Sequence, residues 1–93
     1  MDTGRNKVAD KLFGEIFADR LNFVLGVTDT DAACLAKLAG ISESAISRYC
    51  SGQCMPNLYN FELICRALKV DPAFLMGSAR ILKFRNEVSD NEQ

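Results

Sequence analysis

The chain has 93 residues, of which 48% are apolar and 25% are charged, and these values fit one folded domain rather than a disordered tail or a fibre. It contains no histidine, which excludes catalysis and metal ligation by imidazole. Its 11 lysine and arginine residues against 12 aspartate and glutamate residues give a net charge of −1. This balance excludes a strongly basic nucleic-acid coat but not a local basic patch.

The sequence contains neither a membrane segment nor a secretion signal. No apolar run approaches the roughly 18 residues that a transmembrane helix needs, and residues 1–15 lack an apolar core and a cleavage site. We therefore expect a cytoplasmic protein with reduced cysteines. Cys34, Cys50, Cys54 and Cys65 form no Cys-x-x-Cys pair, so no metal or other cofactor is expected. Cys34 and Cys65 lie on apolar helix faces and are predicted to pack as small hydrophobic residues.

The first helix is predicted over residues 10–25, after a loose polar arm formed by residues 1–9. Gly26 is predicted to end this helix. Its apolar residues recur in steps of three and four, which is helical spacing: Leu12, Phe13, Ile16, Phe17, Leu21, Val24 and Leu25.

Two short helices follow, and each begins after a side chain suited to capping. Asp31 precedes a helix over residues 32–38, which Gly40 ends. Ser42 precedes a helix over residues 43–50, with Gly52 as its stop. The apolar face of the earlier helix comprises Leu35, Ala36, Leu38 and Ala39. The later helix has Ala45, Ile46 and Tyr49 on one side and Glu43, Ser44, Ser47 and Arg48 on the other.

Two more helices complete the predicted fold. The fourth helix spans residues 58–68, with Leu58, Phe61, Leu63, Ile64, Ala67 and Leu68 as its candidate core. Asp71-Pro72 is an N-cap followed by proline at the first helical position, and it starts a fifth helix over residues 73–76 that ends at Gly77. The segment Arg80–Arg85 fits either a strand or a continued helix.

Helices of this length joined by short turns predict a compact all-α domain of five helices over residues 10–77. A C-terminal extension, residues 78–93, ends in a polar tail.

Residues 32–51 have the pattern of a helix-turn-helix, in which the two helices approach closely at a tight turn. Ala36 and Gly40 supply the small residues for that approach. The apolar residues predicted to hold the second helix against the first are Leu35, Ala39, Ile41, Ile46 and Tyr49.

The stretch from Arg20 to Gly77 resembles the helix-turn-helix domain of the phage repressor superfamily, the lambda-repressor-like or Cro/CI-type proteins. The most specific part is the run Leu35-Ala36-Lys37-Leu38-Ala39-Gly40-Ile41-Ser42 with Ser44-Ala45-Ile46-Ser47-Arg48-Tyr49 after it. The resemblance also rests on Arg20-Leu21, Leu25-Gly26-Val27, Gly52 with Pro56, Leu63 through Val70, and Phe74-Leu75-Met76-Gly77.

The resemblance implies double-stranded DNA as the partner, with the helix 43–50 in the major groove. Arg48 suits guanine O6 and N7, Glu43 suits cytosine N4, and serines suit several base edges. The residues that would contact bases are Ser42, Glu43, Ser44, Ser47 and Arg48. Those that would contact the DNA backbone are Ala32, Ser51, Gln53 and Asn57.

The sequence departs from the family pattern in its charge and in one residue that binds a DNA phosphate in the family. The family often has glutamine where this chain has Ala32. Residues 25–56 contain two cations and three anions, although affinity for DNA grows with the phosphates neutralised. The missing positive charge is expected from a second subunit or from the two ends of the chain, which carry Arg5, Lys7, Lys11, Arg80, Lys83 and Arg85.

One recognition helix reads only about 4–5 base pairs, so a homodimer on a palindromic operator is expected, as in the family. Exposed apolar residues near a chain end often form such an interface, although they would be core residues if the extension folds back. The candidate interface comprises Phe74, Leu75, Met76, Ile81, Leu82 and Phe84.

Three functions are compatible with this sequence. The leading one is a sequence-specific transcriptional regulator of the phage or prophage repressor or Cro-like type. The others are an antitoxin-type regulator, which binds DNA and a protein partner, and a protein-interaction module on the same fold. An enzyme is not expected, because the chain has no histidine, no glycine-rich phosphate loop and no paired nucleophile and base.

Overall fold

The computed structural model describes residues 7–84, and their side chains from residue 12 onward. Within that range the chain is all-α with five helices, as the sequence predicts. A single antiparallel bridge, between Val70 and Phe84, is the one strand-like pairing among the described residues. Residues 1–6 of the predicted arm and residues 85–93 of the predicted extension lie outside this range. The helices are α1 Lys7–Val27, α2 Ala32–Ala39, α3 Glu43–Ser51, α4 Leu58–Leu68 and α5 Pro72–Leu75.

Helix α1 is longer than predicted at both ends. It begins at Lys7, so residues 7–9 are helical rather than part of a loose arm. It also continues through Gly26 to Val27, because a glycine within a helix lowers stability without forcing an end. The chain leaves the helix at Asp29, whose φ of 55° is left-handed, while the Thr28 hydroxyl donates to the Val24 carbonyl at 2.8 Å.

Capping residues set the bounds of the four shorter helices, and the predicted caps are confirmed. The side chains of Asp31, Ser42 and Asp71 each accept a backbone N–H at a helix start. Gly40 and Gly52 end α2 and α3 with φ of 74° and 81°. At Gly40 the predicted reason was wrong: a Cβ there would have no neighbour within 4 Å, so the left-handed backbone requires the glycine.

The core forms where the apolar faces of the helices meet, and it confirms the predicted burial of Leu35, Ala36, Ala39, Ile41, Ile46 and Tyr49. Phe17 on α1 lies at its centre, with ring centroids 6.5 Å from Tyr49 and 5.9 Å from Phe61. Ile64 and Leu68 of α4 are buried as predicted, and Phe61, Leu63 and Ala67 are packed against the core.

Three predicted core positions are wrong. Leu38 is 60% exposed and Leu58 is 82% exposed, and Cys34 is exposed as well. Leu58 is the first residue of α4, ahead of the turns that face the core, and Leu38 lies on the outer side of α2. Cys65, by contrast, is fully buried as predicted.

After α5 the chain folds back along the domain. The backbone N–H of Asp71 donates to the Lys83 carbonyl at 2.9 Å, and Leu82 packs against the core. Helix α5 starts and ends one residue earlier than predicted, at Pro72 and Leu75. No helix within residues 7–84 combines the length and the apolar character that crossing a bilayer requires.

Candidate nucleic-acid interface

A three-residue turn fixes α3 relative to α2. The backbone N–H groups of Gly40 and Ile41 both donate to the Ala36 carbonyl, at 2.9 and 3.1 Å. Leu35 on α2 and Ile46 on α3 are fully buried on either side of this turn. Helix α3 is therefore held by both hydrogen bonds and packing, so its outer face has a defined orientation.

Two amide side chains anchor α3 to other helices, and sequence periodicity gave no signal for either. Asn60 Nδ2 on α4 donates to the Tyr49 hydroxyl at 3.1 Å. Asn22 Nδ2 on α1 donates to the Cys50 carbonyl at 2.9 Å. Both helices carry other polar and charged residues, so the sequence does not distinguish these two amides from simply exposed side chains. These two bonds secure the C-terminal half of α3.

The outer face of α3 is polar throughout. Glu43, Ser44, Ser47 and Arg48 are all exposed, and their spacing puts them on one side of the helix. Ser42 is exposed at the start of the same helix. The structure thus brings together all five residues predicted to contact bases, opposite the buried Ile46 and Tyr49.

Ser44 and Arg48 are joined on this face. Arg48 Nη1 donates to Ser44 Oγ at 3.0 Å, one helical turn away. A guanidinium has five N–H donors, so this bond leaves others free while it limits the positions of the arginine side chain. Ser42 differs, since its Oγ already accepts the Ala45 N–H at 3.1 Å as the helix cap, which leaves one acceptor site and its own proton for another partner.

The residues predicted to contact the DNA backbone differ in the hydrogen-bond donors that they have available for a phosphate. Ala32 is the first residue of α2, where helix N–H groups lack partners within the helix. Asn57 uses Oδ1 to cap α4, accepting the Asn60 N–H at 2.7 Å, and keeps its amide Nδ2 as a donor. Ser51 donates its hydroxyl proton to the Arg48 carbonyl at 3.1 Å. The Gln53 N–H donates to the same carbonyl at 3.0 Å, so its exposed side chain is the group that can reach a phosphate.

The cysteines nearest this face do not form a reactive site. Burial raises the pKa of the half-buried Cys50 thiol above its usual value, so Cys50 stays protonated and a poor nucleophile at neutral pH. Cys54, in the loop after α3, is an exposed free thiol. Among the described residues, no group of three cysteine and acidic side chains could hold a metal ion.

The predicted dimer interface requires a correction. Phe74 and Leu75 are buried within the monomer, because α5 packs its apolar side chains into the core. Met76, Ile81 and Phe84 are exposed, and Leu82 is partly buried. The surface that remains for a partner therefore excludes the centre of α5.

Comparison with known proteins supports this geometry. Residues 35–75 match a family model described as helix-turn-helix, which covers α2 from Leu35, all of α3 and α4, and α5. The segment is thus similar to helix-turn-helix units in sequence as well as in geometry, and the five helices fit the lambda-repressor-like all-α fold. The chain has no significant match among curated proteins or solved structures.

Proposed function

We propose that this protein is a sequence-specific transcriptional regulator of the phage or prophage repressor or Cro-like type. It binds a palindromic operator as a dimer, with α3 in the major groove of each half-site. The observation that carries the proposal is the outer face of α3, on which five exposed polar residues stand on a helix fixed by packing and hydrogen bonds.

The chemistry of this face supports base reading rather than a merely solvated helix. Arg48, held by Ser44, presents its remaining N–H donors to guanine O6 and N7. Glu43 accepts from cytosine N4, and Ser47 donates or accepts according to the base. Ser42 serves first as the α3 cap and contacts DNA through its hydroxyl proton or its remaining acceptor site.

Contacts to the DNA backbone come mainly from uncharged donors. They are the N–H groups at the start of α2, including that of Ala32, and the side-chain amides of Gln53 and Asn57. Such contacts set the position of the domain without a basic surface. This is consistent with the two cations and three anions of residues 25–56.

A protein-interaction role on the same fold, including an antitoxin-type regulator, is the second candidate. The observation that favours it is the pair of apolar side chains at the start of α4, since Leu58 is 82% and Tyr59 is 72% exposed. An exposed apolar pair of this kind fits a protein partner. Co-purification with a small protein, abolished by Leu58→Ser but not by Arg48→Ala, would favour this candidate.

Selection of bound sequences from a random duplex pool, at two salt concentrations, tests the leading proposal. We expect a palindromic motif with half-sites about 10 base pairs apart. Arg48→Ala should lose the preference at one position of each half-site. Arg66→Ala is the matched control, because Arg66 lies on α4 and pairs with Glu62 at 2.7 Å. Failure to enrich any sequence at either salt concentration would contradict the proposal.

A further inference from the structure

A shallow groove lies between α1 and the chain that follows α5. Asp19, Arg20 and Phe23 line it from α1, and Phe74, Arg80 and Leu82 line it from the other side. None of these residues belongs to α2 or α3. The groove is therefore lined by none of the residues that form the polar face of α3.

Arg20 makes the groove rigid. Its Nη1 donates to the Phe74 carbonyl at 3.1 Å and to the Ala79 carbonyl at 2.7 Å. Its guanidinium also lies 4.3 Å from the centre of the Phe74 ring. Arg20 thus ties α1 to α5 and to the segment after it, so the groove is already formed in the monomer.

Phe23 places an exposed aromatic ring on one wall of the groove. Its side chain is 53% exposed although its ring centroid lies 5.9 Å from that of the buried Phe74. An aromatic ring that projects from a rigid support is the usual anchor of a protein interface, because its burial gains much area at little entropic cost.

The groove carries three charged side chains, Asp19 and Arg20 on the α1 wall and Arg80 on the other wall, and the Arg20 guanidinium is held by the Phe74 and Ala79 carbonyls. Asp19 on α1 and Arg80 after α5 are both exposed, and in the described part of the chain no ion pair joins them. In a two-fold dimer every contact occurs twice with the roles exchanged. A second copy can therefore bring its Arg80 to Asp19 and its Asp19 to Arg80, so these two side chains form two opposite-charge pairs across the axis.

We propose that a second copy of this chain docks on this groove about a two-fold axis. Phe23 of each copy packs across the axis, and Asp19 of each copy pairs with the partner's Arg80. This inference deepens the proposed function and rests on it in one respect, since the palindromic operator is what requires two copies. It adds α1 to an interface that the sequence assigned only to α5 and the extension.

Sedimentation equilibrium of the full chain, over a range of concentrations, tests the inference. We expect Phe23→Ser to weaken the dimer roughly tenfold or more, as loss of an interface anchor does. Phe13→Ser is the matched control and should leave the dimer unchanged, because Phe13 lies on the same helix and is 55% exposed but does not line the groove. Thermal unfolding of each variant checks that it remains folded.

A charge exchange provides the second test. Asp19→Arg and Arg80→Asp should each weaken the dimer, because each places like charges together twice, and the double variant should restore it. A wild-type chain that stays monomeric would overturn the inference. Equal effects of the two phenylalanine substitutions, or no restoration in the double variant, would overturn it as well.

Binding to a duplex that contains a single half-site separates this inference from the proposed function. A monomeric protein that binds this duplex specifically would leave sequence-specific DNA binding standing and refute the groove as a dimer interface. A dimer that responds to the substitutions as described but binds no duplex would support the interface and refute the function.

Discussion

At the scale of single residues, the side chains of α3 divide into those that hold the helix and those that are free to bind. Ser42 caps the helix, Tyr49 is buried, and Ser44 binds Arg48. The sequence located the polar face, because the helical period separates it from Ile46 and Tyr49. It did not reveal the bond between Ser44 and Arg48, since many side-chain positions are compatible with that spacing.

Replacing Ser44 tests whether this bond orients the arginine. Ser44→Ala removes the acceptor and leaves a good helix former, so α3 should remain intact. We expect operator affinity to fall by about 1 kcal/mol, with a weaker preference at the base pair that Arg48 reads. Fluorescence anisotropy on operators that differ at that pair measures both effects. Ser47→Ala, on the same face, should leave the preference of Arg48 intact, and equal loss of that preference in the two variants would argue against orientation by Ser44.

Gly40 and Gly26 offer a direct test of the reason for each glycine. Neither would bring a Cβ within 4 Å of another atom, but only Gly40 has a left-handed φ, of 74°. Gly40→Ala should therefore lower the free energy of unfolding by about 1–2 kcal/mol. Gly26→Ala, within α1, should raise it by about 0.5 kcal/mol. Chemical denaturation measures both, and a loss of equal size in the two variants would contradict the left-handed backbone as the reason for Gly40.

At the scale of helices, the sequence predicted more about where each one begins than about what it covers. Capping side chains act locally, so Asp31, Ser42 and Asp71 were identified correctly. Burial depends on which neighbour each face meets, and periodicity alone does not supply that. This is why Leu38 and Leu58 were wrongly assigned to the core and why Phe74 and Leu75 were wrongly assigned to an interface.

The attachment of α3 to α4 can be tested at Tyr49. Tyr49→Phe keeps the buried ring and removes the hydroxyl that accepts from Asn60. We expect a loss of about 1 kcal/mol in the free energy of unfolding. Sequence preference should be retained, because the outer face of α3 is unchanged. Thermal unfolding and operator binding measure the two quantities, and unchanged stability would mean that the packing of α3 does not depend on this hydrogen bond.

At the scale of the whole molecule, the net charge of −1 sets this domain apart from proteins that bind DNA through a basic coat. If the proposed function holds, we expect the polar amides and helix N-termini around α3 to carry a larger share of the contacts to phosphate. Binding should then depend on exact geometry more than on electrostatic attraction.

The salt dependence of binding tests this view. Residues 25–56 supply two cations per copy, Lys37 and Arg48, and therefore four in a dimer. A plot of log K against log salt concentration should have a slope of about −4 or shallower. A much steeper slope would contradict the expectation and would show that cations at the ends of the chain contact phosphates.

The central claim is that Arg48 on α3 reads a guanine in the major groove, and methylation interference tests it most directly. Methylation at guanine N7 removes the acceptor that Arg48 would use. We predict that one methylated guanine in each half-site blocks the wild-type protein and has no effect on Arg48→Ala. The same interference pattern for both proteins, or none for the wild type, would contradict the account.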